Sequence, residues 1–222
     1  MGAARAKELT REMQRRLLEL YAIEQLADVH DFVTHDSAFV ASIEGDTHRP
    51  AVEKLLIVEE EGELSVSLFL DPAMLARLDA GDGLDRLTHH SVADFWNLAE
   101  GVSHFTFLAW SAAQDRAVSP LELELQAEVD KFVLAALAAR AERPNHALLP
   151  LHRLQFEEAT LDPALAGDER DRYATANRYA KDYCWELAGT LAAARHNELR
   201  TELRRFYRLS RSDKFHRIAA LG

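Results

Sequence analysis

From Ala4 to about Asp28 the apolar residues Leu9, Met13, Leu17, Leu20 and Ala27 return every three or four positions, separated by Arg and Glu and uninterrupted by Pro or Gly. That spacing stacks the apolar side chains on one face and predicts an amphipathic helix. A second helical stretch is predicted through Phe32, Val33, Phe39 and Val40, ending before Gly45. The period then changes. Residues 54–59, rich in Leu, Ile and Val, and residues 64–70, alternating apolar with Ser, flank Glu60, Glu61, Gly62 and Glu63. An apolar run with β-branched residues and an alternating one on either side of a Gly-containing turn predict a β-hairpin over about residues 54–70, which must pack on helices because two strands alone are marginal.

The helical period resumes at Asp71-Pro72, a cap followed by a first-turn proline, and the short helix they open stops at Gly81. Residues 91–114 form the most apolar segment, with Val92, Phe95, Trp96, Leu98, Val102, Phe105, Phe107, Leu108 and Trp110 around most of its circumference, so it is read as the central core helix. Ser119, Pro120 and Glu122 make a capping box with a first-turn proline at the head of a helix that runs to about Arg143, where Pro144 ends it. Pro144, Pro150, Pro163 and Gly167 mark a long connection with short helical pieces. A helix over about 168–194 follows, then one near Leu199–Tyr207 and a last one capped by Ser210 with Asp213 three residues on. The predicted fold is mainly α, a bundle of about six to eight helices in a single helical domain over 1–222. A β-hairpin insertion lies at about 52–71 and a basic helical segment at about 195–222.

Composition bounds the class. The 222 residues are 48% hydrophobic and 28% charged, the balance of a folded globular chain. The longest apolar runs fall short of a bilayer span and are broken by charges, so a membrane protein is not expected. A lone cysteine, Cys184, and an N-terminus without a signal-peptide pattern point to the cytoplasm. Lys is confined to positions 7, 54, 131, 181 and 214 while Arg is frequent, a usage that suggests a GC-rich bacterial genome. The net charge of -11 is unevenly spread. Residues 1–16 hold five basic and two acidic side chains, and residues 195–222 hold eight and three, so the stretch between them carries -19. Basic ends around an acidic middle point to ion pairing within the chain or to self-association.

Three groups of residues are candidates for chemistry. On the central helix Asn97, Glu100, Gly101, His104 and Ser111 form one polar stripe at helical steps. If that helix and the next form an antiparallel hairpin turning near residue 116, His104 lies level with Glu128 and Glu100 level with about Lys131. Such a convergence is either a Glu100–Lys131 ion pair beside a hydrogen-bonded His104, or a metal or acid/base site of the kind helical bundles build from inward-facing Glu and His. Gly101 in mid-helix costs about 1 kcal/mol relative to Ala, so something must approach closely there, most simply another helix.

The second group is His30-Asp31 followed by His35-Asp36, which resembles the paired His-Asp of helical metal-dependent phosphohydrolases. That class also needs a further His well upstream, and no His precedes His30. His89 and His90 read as capping-region residues. Third, Arg200, Arg204, Arg208 and Arg211 lie near one face of the C-terminal segment with Phe206 and Tyr207 interleaved, a footprint of anion, nucleic-acid or protein-partner binding. No Gly-x-Ser-x-Gly elbow, phosphate loop or Cys-x-x-Cys is present, and Cys184 reads as a core residue.

The leading expectation is a non-enzymatic helical interaction or adaptor protein that self-associates and carries no cofactor. The first alternative is a metal-dependent helical enzyme with a divalent ion at Glu100, His104 and Glu128, with His30 and Asp31 as further candidate ligands. The second is a nucleic-acid binder working through the C-terminal Arg face.

Overall fold

The computed structural model describes residues 3–45, 49–60, 63–81, 83–85, 87–88, 90–142, 148–158 and 167–221. The architecture is mainly helical, as the periodicity predicts. Its helices are α1 (Ala3–Tyr21), α2 (Ser37–Glu44), α3 (Pro72–Ala80), α4 (Val92–Ala112), α5 (Pro120–Glu142), α6 (Leu148–Arg153), α7 (Gly167–Ala192), α8 (His196–Arg208) and α9 (Arg211–Ala219). Nine α-helices among the described residues exceed the six to eight expected, the additional one being α6, a six-residue helix within the stretch read as a connection with short helical pieces. No described helix is long and apolar enough to cross a membrane.

The strands correct the predicted hairpin. β2 (Glu53–Glu60) and β3 (Glu63–Leu70) do pair antiparallel, with Leu55 opposite Leu68 and Glu53 opposite Leu70. A third strand, β1 (Val33–Thr34), pairs parallel to β3 with Val33 opposite Leu68, so the sheet is mixed and ordered β1-β3-β2. Val33 therefore belongs to a strand and not to the helix predicted through residues 32–40. A 3-10 turn at Val29–Phe32 precedes it, and α2 begins only after Asp36, whose side chain accepts from Ala38 N and Phe39 N. The first helix also ends earlier than predicted. Ala22 adopts φ 51° and Ile23 N bonds back to Leu18 O, which closes α1 at Tyr21 although Ala27 keeps the apolar period.

Sheet faces follow from the register. Glu53, Leu55, Leu68 and Leu70 share one face, and Leu68 and Leu70 are fully buried in the main core with Phe95, Leu98 and Val102 of α4. The opposite face carries Leu56 and Phe69, which form a small separate cluster with Val40 of α2. The capping signals are used as predicted. Asp71 accepts from Ala73 N at 2.7 Å, Ser119 Oγ from Glu122 N at 3.3 Å, and Ser210 Oγ from Asp213 N at 3.2 Å. α4 packs along α5 and against both β2 and β3, which makes it the axis that positions the site.

Gly101 is fully enclosed on α4, and what approaches it is the sheet, not the helix expected. A Cβ there would stand 2.7 Å from Glu53 Oε2 and 3.0 Å from Leu68 Cδ1.

Candidate functional site

The α4/α5 interface gathers the ionisable residues. Lys131 Nζ donates to Glu100 Oε2 at 2.9 Å and to Glu128 Oε1 at 2.6 Å. Burial opposes the charge on Lys131, but Glu100 and Glu128 outweigh it and hold its pKa above the usual lysine range. Glu128 is fixed from the far side by Gln155, whose Nε2 donates to Glu128 Oε2 and to the Glu128 carbonyl, both at 2.9 Å.

His104 lies one turn along α4 from Glu100 and 7% exposed. Its Nε2 stands 3.4 Å from Glu124 Oε2 without hydrogen-bond geometry to any group. Its carboxylate neighbour is thus Glu124, one helical turn from the Glu128 level. The second oxygen of Glu124 faces Arg172 Nε of α7 at 3.6 Å. One donor atom from each of Glu100, His104 and Glu124 lies within 4.8 Å of the other two.

A fourth acid enters from the sheet. Glu53 is opposite Leu70 on the face that packs on α4, and its Oε2 lies over Gly101 with no hydrogen-bond partner. Burial first, and Glu100 second, push its pKa up to about 8. Burial alone would lower His104, yet Glu124, Glu53 and Glu100 together raise it to about 9. Tyr173 on α7 borders the same group, and its phenol is held neutral by burial and then by Glu124, Glu100 and Glu53.

The result is a water-poor site in which four carboxylates, from Glu53, Glu100, Glu124 and Glu128, face two permanent cations, Lys131 and Arg172. With His104 neutral, two negative charges remain uncompensated, and buried charge of that kind is costly. Either two protons, one on Glu53 and one on His104, or one divalent cation would neutralise it. Donors around a single ion at about 2.1 Å stand roughly 3 to 4 Å apart. The His104–Glu124 separation already meets that, and small side-chain shifts bring Glu100 into range. Arg172 and Lys131 would then orient Glu124 and Glu100 from outside the donor set.

The structure pairs Glu100 with Lys131 as expected and adds Glu128 to that pair, but it sets His104 against Glu124 in place of the expected Glu128. Asn97 lies half-buried one turn before, and Ser111 is fully buried two turns beyond, its Oγ unpartnered. Glu53 and Glu124 were not singled out in the sequence. Glu124 needed only a one-turn change in the helix-pair level, whereas Glu53 depends on strand register and has no local signal.

His30 and Asp31 stand apart, both within the 3-10 turn, and Asp31 is exposed. His35 Nδ1 contacts the Leu70 carbonyl at 2.8 Å, and Asp36 caps α2. His89 lies outside the described residues, and His90 is exposed just before α4. Cys184 is fully buried, with its thiol pushed up by burial.

A second buried network lies on another face of the same helix pair. Tyr21 OH donates to Asp130, Ser103 Oγ donates to Asp130 at 2.5 Å, and Gln126 Nε2 donates to Asp130 at 3.0 Å. Lys214 Nζ of α9, fully buried, donates to Gln126 Oε1 at 2.9 Å. Burial raises Asp130 to about 6 against these bonds.

The basic face is largely engaged with main chain. Arg204 donates to the carbonyls of Glu19 and Leu20, and Arg208 to those of Tyr21 and Ala22. The Glu19 carbonyl also accepts from Ala22 N at 3.4 Å, whereas those of Leu20 and Tyr21 belong to the last turn of α1, whose carbonyls lack helical partners, so the two arginines cap it. Arg200 and Arg211 are exposed. Among the N-terminal arginines, Arg5 pairs with Asp79, Arg11 with Asp28 and Arg16 with Asp85, which joins the basic terminus to the acidic middle.

Comparison with protein-family models, with curated proteins and with solved structures gives no match to this chain.

Proposed function

We propose that this protein is a metal-dependent helical protein that holds one divalent first-row ion through Glu100, His104 and Glu124, with Glu53 as a fourth donor. The observation that carries this reading is the convergence of donor atoms from Glu100, His104 and Glu124 within 4.8 Å of one another, beside two buried donors without hydrogen-bond partners, His104 Nε2 and Glu53 Oε2. One imidazole with two or three carboxylates suits Mn, Fe or Zn better than Ca or Cu. Bound there, the ion would supply Lewis-acid or one-electron chemistry. The chain's own residues would fix it, with Arg172 and Lys131 holding the carboxylates and half-buried Tyr173 a neutral hydroxyl beside them.

Elemental analysis of the untagged protein, followed by Mn(II) and Zn(II) titration, tests the proposal. We expect about one ion per chain in the wild type and at least a tenfold loss of affinity in His104→Ala or Glu124→Gln. Failure of the wild type to bind either ion refutes it.

The reading of a self-associating interaction protein has one observation in its favour: Trp185 is 56% exposed beside His152, a large aromatic surface for a lone chain. Light scattering that returns a monomer at high concentration removes that reading. Nucleic-acid binding has less support, since Arg204 and Arg208 already serve the α1 carbonyls. A cytoplasmic, bacterial setting remains part of the proposal and rests on the lone cysteine and the preference for Arg over Lys.

A further inference from the structure

Glu100 and Glu128 face each other across α4 and α5 with a cation already between them. Lys131 Nζ lies 2.9 Å from Glu100 Oε2 and 2.6 Å from Glu128 Oε1, and its side chain is only 11% exposed. The neighbouring ligand group shares one residue with this pair, because Glu100 also contributes to the triad with His104 and Glu124. A carboxylate common to two adjacent cation positions is how helical bundles bridge paired metal ions. Here one position has a carboxylate-and-imidazole donor set and the other holds a covalently attached ammonium.

Resting on the single-ion reading above, we infer that Lys131 is the residue that sets the metal count: its ammonium stands where a second divalent ion would otherwise lie, between Glu100 and Glu128. Several features agree. Lys131 is on α5 only three residues from Glu128, so the ammonium is delivered by the same helix that supplies the carboxylate. Glu128 is fixed by two bonds from Gln155 and needs no rearrangement to present Oε1 to a cation. Among the described residues, Lys131 is also the only lysine that bonds a carboxylate of each of these two helices. An ammonium offers three donors and no vacant coordination position, so Glu100 cannot bridge two metals while Lys131 is in place. The chemistry this restricts is the kind that needs paired ions, such as in-line displacement clamped from both sides or two-electron steps shared between metals. The wild-type site is left with single-ion chemistry.

The test compares wild type, Lys131→Ala and Lys131→Gln, each loaded with Mn(II) and freed of excess ion. Metal is counted by elemental analysis and the environment read by electron paramagnetic resonance. Wild type is expected to hold one ion with an isolated-ion spectrum. The two variants are expected to hold two, with the altered spectrum of coupled neighbours. Adding Glu128→Gln to Lys131→Ala removes the second site's carboxylate and should return the count to one.

A wild type that takes two ions, or folded Lys131 variants that stop at one, overturns the inference while leaving the single-ion site standing. A wild type that takes none overturns the site itself. If a variant folds only when Mn(II) is present, the ion count of the refolded protein is read in the same way. Failure to fold even then also counts against the inference, because a second ion should replace the missing charge.

Discussion

Replacing Gly101 by Ala tests the packing of the sheet on α4 and the composition of the site together. In an open helix this change stabilises by about 1 kcal/mol, because glycine's extra backbone freedom is lost on folding. At Gly101 the added methyl would meet Glu53 Oε2 at 2.7 Å, Leu68 Cδ1 at 3.0 Å and Leu70 Cδ2 at 3.4 Å. Leu68 and Leu70 are fully buried, so they cannot swing away, and overpacking of this degree costs about 1 to 3 kcal/mol. The two contributions oppose each other, leaving a net loss of roughly 0 to 2 kcal/mol. For a chain of this length that lowers Tm by up to about 8 °C. Gly189 on α7 is the internal control, since a Cβ there meets nothing within 4 Å and Gly189→Ala should stabilise by about 0.5 to 1 kcal/mol. Urea unfolding of both variants gives the comparison. Glu53 is the one neighbour that can yield, and its displacement should weaken Mn(II) binding by about tenfold or more. If Gly101→Ala stabilises as much as Gly189→Ala and leaves metal affinity intact, then neither the sheet contact nor the role of Glu53 is as described.

Metal affinity should depend steeply on pH, because the metal-free site holds protons on Glu53, near 8, and His104, near 9. Binding expels both, so log K should rise by about two per pH unit up to about pH 8, by about one between about 8 and 9, and level off above that, as competition titrations would show. Without metal the folded state binds these protons more tightly than the unfolded chain, whose values are near 4.5 and 6.5. Stability should therefore fall as pH rises from about 4.5 to 9, and thermal melts with a chelator that stay flat over that range would contradict the assignment. Separately, Arg204→Ala combined with Arg208→Ala removes the caps from the end of α1. The double variant should lose about 1 to 3 kcal/mol in urea unfolding without changing metal affinity.

Helix identity was legible wherever a cap and a long apolar period coincide, as at Asp71-Pro72, Ser119-Pro120 and Ser210. It failed where the decisive partner is distant. Val33 reads as helical by pattern and becomes a strand only because β3 offers a parallel edge beside it. The first helix has no stop signal at Ala22, since the arginines that satisfy its last carbonyls lie more than 180 residues away. The site divides in the same way. The stripe from Glu100 to His104 and the Glu100–Lys131 pairing follow from helical periodicity and one antiparallel hairpin. Glu124 in place of Glu128 reflects where two helices cross, which a simple level count misjudges by one turn. Glu53 depends on which face of a strand meets which helix, and that is settled by packing over the whole core. The mid-helix glycine pointed to a close approach, although the approaching element is the sheet.

The network that runs from Tyr21 through Asp130 and Gln126 to Lys214, together with the Arg208 cap, has a temporal consequence. During synthesis the first helix emerges long before the residues that complete its C-terminal end and the lysine that closes its buried polar contacts. Until α8 and α9 have left the ribosome, Gln126 lacks its bond from Lys214, Tyr21 lacks the stacked ring of Tyr207, and the last carbonyls of α1 remain open to water. The chain should therefore acquire its protected, protease-resistant state late and in one step, with nascent chains halted before residue 214 cleaved readily within α1.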